Sequence, residues 1–361
     1  MKTDAPVLIM AGGTGGHIFP GIAVAHELER RRVPVIWLGG KTGLETRLVP
    51  QHGIALEKID ITGVRGKGLG ALLALPMRLG GAVLAARRIL NRHAPRSALA
   101  LGGYAAAPGG IAARLMKIPL VVHEQNRVPG KTNRMLAKKA ARVLTGFDGV
   151  IFDGMHPGAE WVGNPVRDTI AAIAPPEQRY AGRHGALKLL VLGGSQGAQS
   201  LNTTLPQVLR GRGAKLPVDV RHQCGEAHLD TARNAYRAAG IDADVVAFEQ
   251  DMAAAYAWAD LVICRSGALT LAELAAAGSP AILVPFPHAV DDHQTRNAEA
   301  MVAAGGARLV AEGADFAARL GRAFEQIGER DRLLAMAKSA RTLAKPQAAA
   351  RIADVCLEVA A

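Results

Sequence analysis

A chain of 361 residues with 49% hydrophobic residues and a mean hydropathy of +0.13 is long and apolar enough for two or three domains with cores, which excludes a disordered or fibrous protein. Lys and Arg number 43 against 31 Asp and Glu, so at +12 the chain favours anionic partners, while aromatics at 4% disfavour modules that stack many bases. The cysteines Cys224, Cys264 and Cys356 are far apart and form no C-x-x-C pair, which argues for a reducing compartment and against structural zinc.

From the N-terminus, the apolar run Pro6 to Ala11 is too short for a signal-peptide core and reads as a strand of an unsecreted protein. Gly12-Gly13-Thr14-Gly15-Gly16 follows it and opens a helix whose amides suit an anion. His17 lies at that helix start, where the dipole disfavours the cationic imidazole and a neutral ring is fit to act as a base. The second strand, Val33 to Leu38, ends in Gly39-Gly40 without the acidic residue that reads a dinucleotide ribose, so a nicotinamide oxidoreductase is disfavoured. The stretch Leu69 to Leu90 contains Pro76, Arg78, Arg87 and Arg88, too polar to span a membrane. With Arg65, Lys67, Arg92 and Arg96 around it, it reads either as an ordinary packed helix or as a basic surface that lies on an anionic bilayer.

A strand at Ala98 to Leu101 leads into Gly102-Gly103-Tyr104, and one at Pro119 to Val122 leads into His123-Glu124-Gln125-Asn126, which is not the H-E-x-x-H of a zinc site. Gly130-Lys131-Thr132 mimics the end of a P-loop, but Gln125 stands where its first glycine would be. A turn-rich stretch from Gly154 to Pro176 sets a domain boundary near residue 165. The same grammar then restarts: strand Leu187 to Leu192 is followed by Gly193-Gly194-Ser195-Gln196-Gly197, placed 181 residues after the first glycine loop. Two Rossmann-like parallel-sheet domains facing a central cleft is the architecture this implies.

Gly193-x-Ser195-x-Gly197 also matches the nucleophile elbow of serine hydrolases, with Asp260 and His288 in the required order, a reading disfavoured because the twin loop at Gly12 carries no serine. Further strands are expected at Val218 to Arg221, Ala243 to Phe248, Leu261 to Cys264 and Ala281 to Val284. Asp242-Ala243-Asp244 reads as a solvated turn sooner than a metal pair. After Leu261 to Cys264, Ser266 is expected to cap a helix whose amides suit a diphosphate, with Glu273 two turns in as a candidate ribose ligand. The polar loop Pro285 to Gln294 follows the last of these strands, and Lys345-Pro346 divides two closing helices.

Taken together and in order, Gly12 to His17, Gly102 to Tyr104, His123 to Asn126, Gly193 to Gly197, Arg265-Ser266-Gly267-Ala268 and Asp292-His293-Gln294 make the chain resemble the bacterial peptidoglycan-synthesis family of UDP-N-acetylglucosamine transferases that convert lipid I to lipid II. The resemblance implies a GT-B glycosyltransferase fold with a first domain over 1–165 for the acceptor and the membrane, a second over 166–345 for the UDP-sugar, and a last helix, 346–361, packing back on the first. It implies donor contacts from Thr14, Gly15, Gly16, Asn126, Arg167 and Ser195, with Ala268, Leu269, Thr270, Leu271, Ala272 and Glu273 around diphosphate and ribose. Gln294 would bind the sugar, and the backbone of Glu249 would face the uracil, although an apolar residue is expected there and a smaller one at Arg127. Gly102, Gly103 and Tyr104 would contact the acceptor, and His17 or, less favoured, Glu124 would be the base of an inverting transfer. No cofactor, protein-bound metal or nucleic acid is implied. The partners implied are UDP-N-acetylglucosamine, lipid I, the anionic cytoplasmic face of the inner membrane and the cell-wall machinery. A UDP-sugar epimerase, a serine hydrolase and a catalytically silent nucleotide-sugar binder remain as alternatives.

Overall fold

Strand β1 (Val7–Ala11) is buried on both faces, as an interior strand of a parallel sheet must be. Its alternate residues feed two cores in the computed structural model, which describes residues 4–61, 75–150, 152, 158–194, 196–212, 217–327 and 329–360. Val7, Ile9 and Ala11 pack with Ile18, Ile22 and Leu28 of α1 (Gly15–Arg30) and with Ile352, Val355 and Cys356 of α15 (Ala348–Glu358). Leu8 and Met10 pack on the opposite side with Ala86, Ile89 and Leu90 of α3 (Leu75–His93) and Ala112 and Ala113 of α4 (Ala106–Leu115). The period-two alternation of β1 thus sets which helices cover which face.

The sheet has seven parallel strands in the order β3-β2-β1-β4-β5-β6-β7, adding β2 (Val35–Gly40), β3 (Ala55–Ile59), β4 (Ser97–Gly102), β5 (Leu120–Glu124), β6 (Arg142–Thr145) and β7 (Ala159–Trp161). The second sheet is ordered β10-β9-β8-β11-β12-β13, from β8 (Leu187–Leu192), β9 (Val218–Gln223), β10 (Ala243–Val246), β11 (Leu261–Cys264), β12 (Ala281–Leu283) and β13 (Ala307–Leu309). Both are doubly wound, so the strand order reverses between β1 and β4 and again between β8 and β11. Open sheets of this kind bind ligands beyond the carboxyl ends of the strands at such reversals.

The chain divides into two compact units, residues 1–165 with 345–361 and residues 166–344. In the first, α15 returns from the C-terminus to pack on α1. The Ser97 hydroxyl donates to the Cys356 carbonyl at 2.7 Å, Arg351 pairs with Glu160 at 2.7 Å, and Arg31 bridges Glu27 and Asp354. In the second, Leu187, Leu189 and Val191 form a core with Leu201, Leu205 and Leu209 of α8 (Gln199–Arg212), Tyr236 of α9 (Leu229–Ala239) and Phe324 of α13 (Phe316–Ile327).

Each unit buries a histidine. The His123 ring donates through Nε2 to the Gly163 carbonyl at 2.9 Å, and burial pushes its pKa down to about 4. His222 Nδ1 and the Tyr236 hydroxyl share a hydrogen bond at 2.9 Å, and burial pushes the ring's pKa down to about 3. Both are neutral in the fold and protonate near 6.5 once unfolded, so their share of stability is complete above pH 6.5 and is lost as pH falls toward 4 and then 3. The expected slope is about 1.4 kcal/mol per pH unit for each ring. Urea midpoints measured across this range should therefore drop, and His222→Gln should flatten the profile by one histidine's share. An unchanged slope in that variant would contradict a neutral buried ring.

Candidate functional site

In the first unit, Gly12–Thr14 joins β1 to α1 beside the loop that leaves β4, directly at the strand-order reversal. Gly103 has φ of +85°, and a Cβ there would collide with the Gly12 carbonyl, so the two loops touch backbone to backbone. The exposed Tyr104 ring lies over Gly13, where a Cβ would stand 3.7 Å from it. His17 packs its imidazole against Gly102, and its Nδ1 is 3.3 Å from both the Gly12 carbonyl and the Thr14 hydroxyl. A carbonyl only accepts, so the bond to Gly12 requires hydrogen on Nδ1 and puts the basic lone pair on Nε2. Thr14, Gly15, Gly16, His17, Gly102, Gly103 and Tyr104 therefore form one platform.

Glu45, which the sequence does not single out, holds this platform. Buried at the start of α2 (Glu45–Gln51), it accepts the Gly13 amide through Oε2 at 3.1 Å and the Gly40 amide through Oε1 at 3.1 Å.

At the end of β5, Glu124 is also buried, and its oxygens accept the Asn126 amide at 2.9 Å and side chain at 3.3 Å, the Gly130 amide at 3.0 Å and the Asn133 side chain at 2.9 Å. A carboxylate committed to four donors shapes the loop that carries Asn126. This geometry ties Glu124 to its own loop through both carboxylate oxygens.

The second unit repeats the device. Gly193–Gly197 follows β8, and a Cβ at Gly197, whose φ is +75°, would collide with the Cys224 carbonyl. Ser195 and its hydrolase reading fall outside the described residues, but Asp260 lies at the amino end of β11, opposite the glycine loop, and is committed to Arg183 and to the Lys188 amide at 3.0 Å. The serine-hydrolase arrangement fails on that placement. Among the described residues no three His, Cys, Asp or Glu side chains cluster as a metal site, and Asp244 pairs with Arg221 at 3.3 Å.

Helix α11 (Ala268–Ala277) starts one residue later than a Ser266 cap would require. Gly267 occupies the cap position in extended geometry, while the Ser266 side chain is buried just before it. Ala268, Leu269 and Thr270 form the first turn with its unbonded amides. Leu271 is buried beneath, Ala272 half-buried, and Glu273 projects from the second turn. There Arg167 and Glu273 meet: Nη2 donates to Oε1 at 2.9 Å, while the buried Tyr256 hydroxyl of α10 (Met252–Trp258) donates to Oε2 at 3.1 Å. Burial raises the Glu273 carboxyl above its ordinary range against the pull of Arg167 and Tyr256. Tyr256 was invisible in the sequence, since nothing in an alanine-rich helix marks its partner.

Glu249 follows β10, two strands out from β8, and its amide donates to Gln223 Oε1 at 3.0 Å. The Glu249 amide is thereby engaged within the unit. Gln294, in the first turn of α12 (His293–Ala303), accepts the Phe286 amide through Oε1 at 2.9 Å, which turns its Nε2 outward as a donor. The loop before it holds Asp291 and Asp292 at φ of +54° and +50°, a left-handed conformation that aspartate adopts more readily than most side chains.

Residues 7–145 match the glycosyltransferase family 28 N-terminal domain, and residues 188–352 match its C-terminal domain. A protein of Xanthomonas campestris pv. campestris (strain B100) is 55% identical over 356 residues, which cover 98% of this chain and 82% of the relative. One of Xylella fastidiosa (strain M12) is 54% identical over 355 residues, covering 98% and 96%. Both carry the name UDP-N-acetylglucosamine--N-acetylmuramyl-(pentapeptide) pyrophosphoryl-undecaprenol N-acetylglucosamine transferase. Among solved structures, Acinetobacter baumannii MurG is similar with a TM-score of 0.86 and 37% identity, covering 98% of this chain and 99% of that one. The UDP-GlcNAc 2-epimerase of Neisseria meningitidis shares the fold at a TM-score of 0.65 but only 13% identity, with 98% and 100% covered.

Proposed function

The chain belongs to glycosyltransferase family 28, and we propose that it moves N-acetylglucosamine from UDP-N-acetylglucosamine to the 4-hydroxyl of the muramyl sugar of lipid I, giving lipid II with inversion at the anomeric carbon. The observation that carries this reading is the near-full-length likeness to transferases of that name, 55% and 54% identical over 98% of this chain.

The acceptor and the base belong to the first unit. Gly102, Gly103 and Tyr104 receive the muramyl sugar, and His17 Nε2 takes the proton of its 4-hydroxyl as that oxygen attacks the anomeric carbon. Thr14, Gly15, Gly16 and Asn126 add donor contacts. The donor belongs mainly to the second unit, where the amides of Ala268, Leu269 and Thr270 meet charge growing on the leaving diphosphate. Arg167 and Ser195 join them there. Glu273 reads the ribose, Leu271 and Ala272 wall it, the Glu249 carbonyl meets the uracil, and Gln294 Nε2 donates to a sugar hydroxyl. The step as written uses no metal ion.

The lipid acceptor sets the location at the cytoplasmic face of the inner membrane. Among the described residues no helix is long and apolar enough to cross a bilayer. Helix α3 instead buries Ala82, Ala86, Ile89 and Leu90 and presents Met77, 81% exposed, and Leu84, 56% exposed, with Arg78, Arg87 and Arg88 in solvent. Apolar side chains flanked by arginines suit an anionic surface. Arg65 and Lys67, expected to share this surface, lie outside the described residues. Reversing Arg87 and Arg88 to glutamate should weaken binding to anionic vesicles roughly tenfold or more at low salt. It should slow transfer to vesicle-embedded lipid I while sparing a short-chain, water-soluble acceptor. Equal loss on both acceptors, or on neither, would contradict this role.

A further inference from the structure

We infer that Arg167 is a displaceable latch on the ribose-reading carboxylate, a specificity-determining residue that makes the second unit favour nucleoside diphosphates over nucleosides. The inference rests on the reading of Glu273 as the ribose ligand.

The two oxygens of Glu273 are held by groups of unequal permanence. Oε2 accepts from Tyr256, a fully buried side chain, and a buried hydroxyl stripped of its acceptor carries a desolvation penalty, so this bond stays. Oε1 accepts from Arg167, whose side chain is 53% exposed against 18% for Glu273. Solvent is ready to take that guanidinium back. The backbone beneath it is fixed, because the Arg167 carbonyl accepts from the Ile170 and Ala171 amides at the start of α6 (Asp168–Ala171), which packs on α11. Only the side chain has to move.

Ribose hydroxyls and Arg167 therefore compete for Oε1. A nucleoside must displace the guanidinium and offers it nothing in return. A nucleoside diphosphate offers phosphate oxygens at the first turn of α11, about 7.5 Å along the helix axis from Glu273. That rise is comparable to the length of an extended arginine side chain, whose planar fork suits phosphate oxygens. The same residue thus counts against uridine and for UDP, a sign reversal that a purely structural ion pair would not produce. A half-exposed ion pair is a modest interaction, worth a factor of about two to five in an equilibrium.

The test is calorimetric titration of the full chain with uridine and, separately, with UDP at mildly alkaline pH, where Glu273 is ionised. Arg167→Ala should bind uridine about two- to fivefold more tightly than the wild type. The same variant should bind UDP about tenfold or more weakly, from the loss of a charge-assisted contact. Arg167→Met, which keeps the apolar stem, should repeat both shifts and carries the test if the alanine variant folds poorly. Uridine affinity that is unchanged or weaker in these variants overturns the latch. Uridine affinity unaltered by Glu273→Ala overturns the ribose reading itself, a failure distinguishable from the first because Arg167 is intact in that variant.

Discussion

Replacing His17 by alanine should lower kcat roughly 10²- to 10⁴-fold, the range a positioned general base contributes, and leave the donor KM within a small factor. The split follows from where the groups lie. His17 is on the first unit's platform, pressed against Gly102 and bonded through Nδ1 to the Gly12 carbonyl, whereas diphosphate and ribose are assigned to α11 and Glu273 in the second unit. Loss of the imidazole removes the proton acceptor without touching those contacts, so the defect belongs to kcat. Steady-state kinetics with a short-chain lipid I analogue checks this. A variant that keeps wild-type kcat would remove His17 as the base, and a raised donor KM with kcat intact would make it a binding residue.

Glu273→Ala should do the reverse, raising the donor KM roughly ten- to hundredfold while kcat changes much less. Hydrogen bonds to a charged partner are worth about 1.5–3 kcal/mol each, and the ribose offers two hydroxyls, but the alanine variant also releases Arg167 toward the diphosphate, which offsets part of the loss. Burial raises the carboxyl above its ordinary range, so a second consequence follows. Donor affinity that depends on the carboxylate is full above that raised pKa. It falls on acidification sooner than it would for an exposed glutamate, and Glu273→Gln should abolish this limb. An unchanged donor KM in the alanine variant would remove the ribose role.

The doubly wound fold was legible because its central strands are continuous apolar runs. Val7–Ala11, Ser97–Gly102, Leu120–Glu124 and Leu261–Cys264 are buried on both faces and could hardly be read as anything else. The strands that went unread are short or lie at an edge. Ala55–Ile59 is only half-covered and carries Glu57 and Lys58, Ala159–Trp161 and Ala307–Leu309 are three-residue edges, and Arg142–Thr145 opens on a charge. Half-burial erases the apolar run that betrays a central strand.

The glycine loops were legible for a different reason: positive φ and backbone contact admit little else, and the requirement is written in the sequence itself. Glu45 and Tyr256 were not, because each is defined by a partner that only the fold supplies. Glu124 was legible as a titratable group at a strand end, while its four hydrogen bonds to Asn126, Gly130 and Asn133 depend on how the fold closes that loop. Ser266 was displaced by one residue because Gly267 also satisfies a helix cap, and glycine competes well at that position.

The most direct test incubates the purified chain with UDP-N-acetylglucosamine and a short-chain lipid I analogue and follows both products, UDP and the glycolipid, by mass spectrometry. Equal amounts of UDP and of a disaccharide-bearing lipid are expected. UDP without the disaccharide, or conversion of the donor sugar with no acceptor consumed, would contradict transfer to lipid I.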